Sequence, residues 1–300
     1  MPKRSLMLAG GGLKIAFQAG VLQVWLDEAG IEFDHADGVS AACFNLAMWT
    51  QGMSGRQIAD NWRNLNPLSG IDVNWSQLLR GPFAESIFEL GAYRRKVFPA
   101  WGLDWEKIRA SRREATFNVY DFSHHELRPV TAPELTEDFL VATASLPIWF
   151  PPVRIDGHTY IDAVFNTASN LEEAIRRGAD ELWVIWTTSR RGQWKNGFVG
   201  NFFGIFEATT NDGYKRMLRR IERNNEAVAA GAGSEFGRHI AVRELAAEVP
   251  LHYLFNFSSR RIAKAVDLGV DAARAWCKEH PEYFATGQRA GATLTTFPAE

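Results

Sequence analysis

The chain has 300 residues, enough for one large core or two modest ones, and its 46% hydrophobic and 23% charged residues are an ordinary globular balance. A formal net charge of −2 argues against a nucleic-acid partner, which would call for a basic surface. The two cysteines, Cys43 and Cys277, lack metal-ligand spacing and cannot build a disulfide framework, which suits a reducing compartment.

Lys3 and Arg4 precede an apolar strand, Ser5 to Ala9, that is too short for a signal-peptide core or a membrane span. A cytoplasmic location is therefore expected, with membrane contact only peripheral. The strand runs into Gly10-Gly11-Gly12-Leu13-Lys14 and then into a helix pattern, with Ile15, Ala19, Leu22 and Leu26 at helical spacing and Gly30 as its C-terminal cap. Glycines at a strand-to-helix junction leave backbone N–H groups bare and convergent, a cradle for an anion or an oxyanion. Ile31 to Gly38 reads as a second strand and Ala41 to Met53 as a buried helix, so Ser40 sits at another strand-to-helix junction. Two readings of Ser40 stand at this point: an N-cap for that helix, or a presented hydroxyl nucleophile beside the glycine cradle.

Residues 54–112 read as mostly helical and rich in tryptophan, with turns at Asn66-Pro67 and Gly81-Pro82. Thr116 to Asp121 and Leu127 to Val130 read as strands, Phe139 to Leu146 as a helix stopped by Pro147, and Thr159 to Asp162 as a strand end. Asn170 and Glu173 form a capping-box pattern for a helix closed by Gly178, and Glu181 to Trp186 is a nearly continuous apolar strand, as in a parallel sheet covered on both faces. Strands alternating with helices predict an α/β fold: a single domain over 1–300, with a mostly parallel central sheet flanked by helices. Gln193 to Arg223 combines an aromatic stretch with Lys215, Arg216, Arg219, Arg220 and Arg223 interleaved among apolar residues. It reads either as a helix on an anionic lipid surface or over a lipid-binding groove, or as a core-packed helix with a solvated basic face.

Several stretches resemble the patatin-like phospholipases and acyl hydrolases. They are Gly10 to Ile15, Gly38-Val39-Ser40-Ala41-Ala42, Asp162-Ala163-Val164, and Ala142 to Pro147 followed by Phe150-Pro151-Pro152. Gly20-Val21-Leu22 agrees as well, and the resemblance covers about residues 5–190; residues 191–300 would form a C-terminal helical, lipid-facing part. The resemblance implies that Ser40 is the nucleophile and Asp162 the base of a Ser–Asp dyad. It also implies that the loop of Gly10, Gly11, Gly12 and Lys14 is the oxyanion hole, that a lipid or acyl ester is the substrate, and that no cofactor or metal takes part.

Ile15, Ala42 and Ala163 stand where that family has glycine. A β-branched Ile15 displaces the loop if its position needs positive φ and is harmless if its position is helical. An inactive relative that binds lipid or a partner protein is the alternative these replacements motivate. A dinucleotide fingerprint fails at Ile15, although Asp34 or Asp37 would supply its acidic strand end. A Ser–Asp–His triad would need His239 or His252, and His124-His125 read as surface residues without a metal-ligand partner.

Overall fold

A computed structural model describes residues 2–70 and 72–283. Its main sheet has eight strands among the described residues: β1 (Arg4–Leu8), β2 (His35–Val39), β3 (Glu114–Asp121), β4 (Glu126–Thr131), β5 (Val153–Ile155), β6 (His158–Asp162), β7 (Glu181–Trp186) and β8 (Ala241–Ala246). Their order is β8-β7-β1-β2-β3-β6-β5, with β4 alongside β3. The five strands from β8 to β3 are parallel, and β4, β6 and the β5–β6 pair add the antiparallel edge. The sheet is therefore the mostly parallel α/β sheet expected from the alternating pattern.

Side-chain alternation divides the interior in two. Leu6 and Leu8 of β1, with Trp183 and Ile185 of β7, face one apolar cluster, while Met7, Leu182, Val184 and Trp186 face the other. Burial on both faces explains why β7 reads as a continuous apolar run. The first face is covered by α1 (Ala16–Leu22), α2 (Ala42–Thr50) and α3 (Gly55–Arg63), with α4 (Glu137–Thr143) behind the antiparallel strands. The second is covered by α5 (Leu171–Arg176) and by the later part of the 32-residue α6 (Phe198–Ala229), with Tyr214 and Ile221, whereas Phe203 and Phe206 near its start join the first cluster; α7 (Ser259–Glu279) returns to the first face.

Several boundaries differ from the sequence reading, for local reasons. The first helix begins as a 3₁₀ turn over Gly12–Ile15 and ends as a π turn over Gln23–Glu28. β2 starts at His35, four residues later than expected, because Ile31 still closes the preceding turn by donating to the Trp25 carbonyl (2.8 Å). Only half of the Asn170 box forms: Asn170 accepts from the Glu173 N–H at 3.3 Å, while the Glu173 carboxylate turns to Arg176 and Arg177. Residues 64–104 contain, besides short helical turns, a small antiparallel pair, Asp72–Val73 with Phe88–Glu89, that no alternating run signals. β5 and β6 are joined by Asp156-Gly157, both at positive φ (50° and 83°), a hairpin signal that the sequence reading passed over.

Candidate active site

Sheet register brings the two motifs together. Along β3, Asn118 is opposite Val39 of β2 and the next residue, Val119, is opposite Asp162 of β6. Ser40, one step beyond Val39, thus comes out of its strand beside the end of the strand that carries Asp162. The Ser40 hydroxyl donates to Asp162 Oδ2 at 2.6 Å. Although separated by 122 residues, both are buried, at 7% and 2% exposure.

Ser40 has φ +60°, a conformation that costs a non-glycine residue about 1–3 kcal/mol and that turns the chain sharply from strand to helix. The cap reading is set aside by the same geometry: α2 is capped by Ala41 with no side-chain bond, and the Ser40 hydroxyl is spent on Asp162. Gly38 lets α2 approach, since a Cβ there would lie 3.1 Å from Leu46 and 3.3 Å from the Cys43 sulfur.

Asp162 is held at three points. Its N–H donates to the Ser145 carbonyl (3.0 Å), its Oδ1 accepts from the Val164 N–H (2.9 Å), and its Oδ2 accepts from Ser40. The Ala142 to Pro147 segment therefore anchors the carboxylate's backbone. Burial raises the Asp162 pKa to about 7 against the opposing pull of the Ser40 and Val164 bonds.

The glycine loop lies against the same spot. A Cβ on Gly10 would come within 3.0 Å of Ser40 Cβ and Val164, one on Gly11 within 2.3 Å of the Thr187 hydroxyl, and one on Gly12 (φ +52°) within 2.2 Å of the Tyr253 carbonyl. The loop's N–H groups are not equally available. Gly10 donates to Ala168, Leu13 to Tyr253 and Lys14 to Gly11 (2.9, 2.7 and 3.1 Å), whereas among the described residues Gly11 and Gly12 donate to no backbone acceptor. The free donors are thus fewer than the sequence reading supposed, and neither Gly10 nor Lys14 supplies one. Lys14 is not a solvent-facing helix residue either: it is buried, with its ammonium 4.1 Å from the centre of the Tyr253 ring, and burial lowers its pKa.

The three departures from glycine fall in helical backbone. Ile15 has φ −66° and ψ −11°, Ala42 opens α2, and Ala163 opens a 3₁₀ turn. None needs positive φ, so each accommodates its Cβ, and the motive for an inactive relative weakens accordingly.

A buried polar chain that sequence reasoning missed runs beneath the serine turn. Thr116 and Asn118 of β3 donate to the Asp37 carboxylate, and Asn118 also donates to the Gly38 carbonyl at 2.8 Å. Asn170 in turn donates to Asn118 at 2.7 Å, tying α5 to the strand before Ser40. Burial raises Asp37 to about 7. Polar residues alternating with apolar ones in Thr116-Phe117-Asn118 were the available signal, since a strand buried on both faces has no reason to carry them.

An apolar pocket of about 50 Å³ opens on Ser40 and Asp162, walled by Phe44, Tyr93, Leu146, Phe150, Phe203 and Phe206 among others. His252 lies apart from the pair: its Nδ1 accepts from the Leu254 and Phe255 N–H groups, and burial lowers its pKa to about 4. Among the described residues no histidine bonds to Ser40 or Asp162.

Fold and site together define a class: α/β proteins that present a serine on a strained strand-to-helix turn beside a glycine loop. The sequence pattern of the patatin-like phospholipases matches residues 6–175, more than half of the chain, which belongs to that family. Family members are generally hydrolases of lipid esters. VipD from Legionella pneumophila is similar in structure, at 14% identity and a TM-score of 0.45, with 93% of this chain and 67% of that one covered. No curated protein sequence matches the chain.

Proposed function

We propose that the protein is a serine acyl hydrolase that cleaves carboxylic ester bonds of lipids, with Ser40 as nucleophile and Asp162 as its only base. The observation that carries this reading is the 2.6 Å bond from the Ser40 hydroxyl to a buried carboxylate whose proton affinity has risen toward neutrality. As Ser40 Oγ attacks the ester carbonyl carbon, its proton passes to Asp162 Oδ2. The resulting oxyanion is received by the Gly11 and Gly12 N–H groups. Collapse expels the alcohol, which takes the proton back from Asp162, and leaves an acyl-serine. Water then gives a proton to Asp162 and attacks the acyl carbon; release of the fatty acid returns the proton to Ser40.

The apolar walls of the pocket suit an acyl chain, whether the ester is a phospholipid, a lysophospholipid or a neutral ester. α6 supports action at a lipid surface. One side of it, with Phe203, Phe206, Tyr214 and Ile221, is buried. Along another, at heptad spacing, Phe198 and Ile205 are exposed near its start and are followed by exposed Asp212, Arg219 and Glu226, with Arg216 ion-paired to Asp212. The helix is thus core-packed on one side, and its exposed stripe passes from apolar to mixed charge, so the apolar start is what bears on a lipid surface.

Labelling with a fluorophosphonate, located by peptide mass, tests the dyad. The label is expected on Ser40, absent in Ser40→Ala, and at least 100-fold slower in Asp162→Asn, the usual worth of a positioned base. Folded wild-type protein that takes no label would end this reading in favour of a lipid-binding protein without catalysis.

A further inference from the structure

At the other end of β6 from Asp162, three side chains converge that the dyad does not use. Asp121 ends β3, His124 lies in the turn that follows, and His158 opens β6. One ligand atom from each lies within 4.8 Å of the other two. The sequence reading of His124 as a surface residue without a metal-ligand partner overlooked His158, which only the strand pairing brings near: Asp121 is opposite Tyr160, two residues along β6 from His158.

The carboxylate is fixed before any ligand arrives. Asp121 Oδ1 accepts from the Ser123 and His124 N–H groups (3.0 and 3.2 Å), leaving Oδ2 toward His124 Nδ1 at 2.9 Å. Two cross-links hold the turn on the neighbouring hairpin: Phe122 N–H to the Thr159 carbonyl (2.8 Å) and Thr159 N–H to the Ser123 hydroxyl (2.9 Å). A His–Asp ion pair would account for two of the residues. It does not account for the His158 ring, which lies 4.7 Å from the His124 ring at a 30° tilt. The Asp121 side chain is 5% exposed and that of His124 54%, so the site has a rigid floor and an open entrance.

We propose that Asp121, His124 and His158 bind a divalent first-row transition metal, zinc foremost, which ties the β3–β4 turn to the β5–β6 hairpin. Two imidazoles and one carboxylate suit zinc and disfavour calcium or magnesium, which require oxygen ligands. Bonds of about 2.0–2.2 Å set tetrahedral ligands about 3.4 Å apart, which lies between the 2.9 Å Asp121–His124 contact and the 4.8 Å bound on the cluster, so side-chain adjustments of the order of an ångström seat the ion. Water fills the remaining position. The site is structural: His158 and Asp162 are four residues apart, about 13 Å along the strand.

Titration calorimetry of the untagged full chain with zinc chloride tests the assignment, with cobalt absorption as a second probe. One site per chain is expected, with a Kd in the micromolar range or tighter. His124→Ala and His158→Ala should each weaken it at least tenfold, and His125→Ala, beside the cluster, should not. Metal-free melting curves verify that the variants fold, and His158→Gln replaces the alanine if its packing is missed. Wild-type affinity no better than millimolar, binding that survives the loss of His158, or binding that depends on His125 would overturn the proposal.

Discussion

Burial of Asp162 has opposite consequences for activity and for stability. The base form is needed to accept the Ser40 proton, so fluorophosphonate labelling is expected to rise with pH through about 7 and level off above it. Stability runs the other way. The folded pKa lies above the ordinary value of 3.8, so the folded state binds more protons between the two, and the associated stability, full below the ordinary value, is lost as pH rises through about 7. Asp162→Asn cannot ionise, so its melting temperature should gain on wild type as pH increases from 5 to 8.5; a constant difference would mean that the carboxylate is not held neutral by burial. Asp37, raised by burial to about 7 as well, keeps part of the slope in the variant. At this scale the sequence was informative about residue types and not about partners. Ser40, Asp162 and the glycines were legible because each occupies a turn motif. The commitment of the Gly10 and Lys14 N–H groups was not, because their acceptors, Ala168 and Gly11, are set by how the loop folds back.

Glycine matters at the element scale in two different ways. A Cβ on Gly20 of α1 would lie 2.0 Å from the Val266 carbonyl of α7, and one on Gly269 of α7 would lie 2.1 Å from the Phe17 carbonyl of α1. The two helices thus cross backbone to backbone on the first face of the sheet, and Gly55 of α3 meets Leu22 of α1 in the same manner. Gly269→Ala must push α7 outward, an overpacking expected to lower stability by about 1–3 kcal/mol in chemical denaturation. Its Ser40 labelling should stay close to wild type, since the helix pair lines no part of the pocket beside Ser40. Gly12→Ala combines the Tyr253 clash with φ +52°, so here labelling should fall more steeply than stability.

Elements were legible where periodicity reflects burial. β7 was plain as an apolar run and β1 as a short strand before glycines. β8 was missed because its Arg243 and Glu244 are paired at the sheet edge, with Glu181 and Arg190, and so hide an otherwise apolar strand.

For the whole molecule, the narrow pocket and the exposed apolar side chains belong to one argument. A cavity of about 50 Å³ is smaller than the ~150 Å³ that admits benzene in an engineered protein core, so an acyl chain of lipid length cannot fit without movement of the walls. Two of those walls, Phe203 and Phe206, are on α6, whose outer side exposes Phe198 (58%) and Ile205 (55%), while Trp194 (63%) lies over Gly204. Phe198 and Phe202 also pack on Trp149, which stacks on Phe203, so a force on the exposed aromatics reaches the pocket through direct ring contacts. No helix among the described residues is long and apolar enough to cross a membrane. Full burial of a large apolar side chain is worth about 1.5–3 kcal/mol, so even partial insertion of three supports measurable binding. Vesicles containing anionic lipid are therefore expected to bind the protein and to speed the labelling of Ser40. Replacing Trp194, Phe198 and Ile205 together by serine should reduce vesicle binding at least tenfold and remove the acceleration. The vesicle-free labelling rate should change by less than the vesicle effect, because none of the three side chains lines the pocket and only Phe198 reaches its wall, through Trp149. Equal acceleration in the wild type and the triple variant would detach the pocket from the surface stripe and leave α6 as a core helix with a solvated outer side.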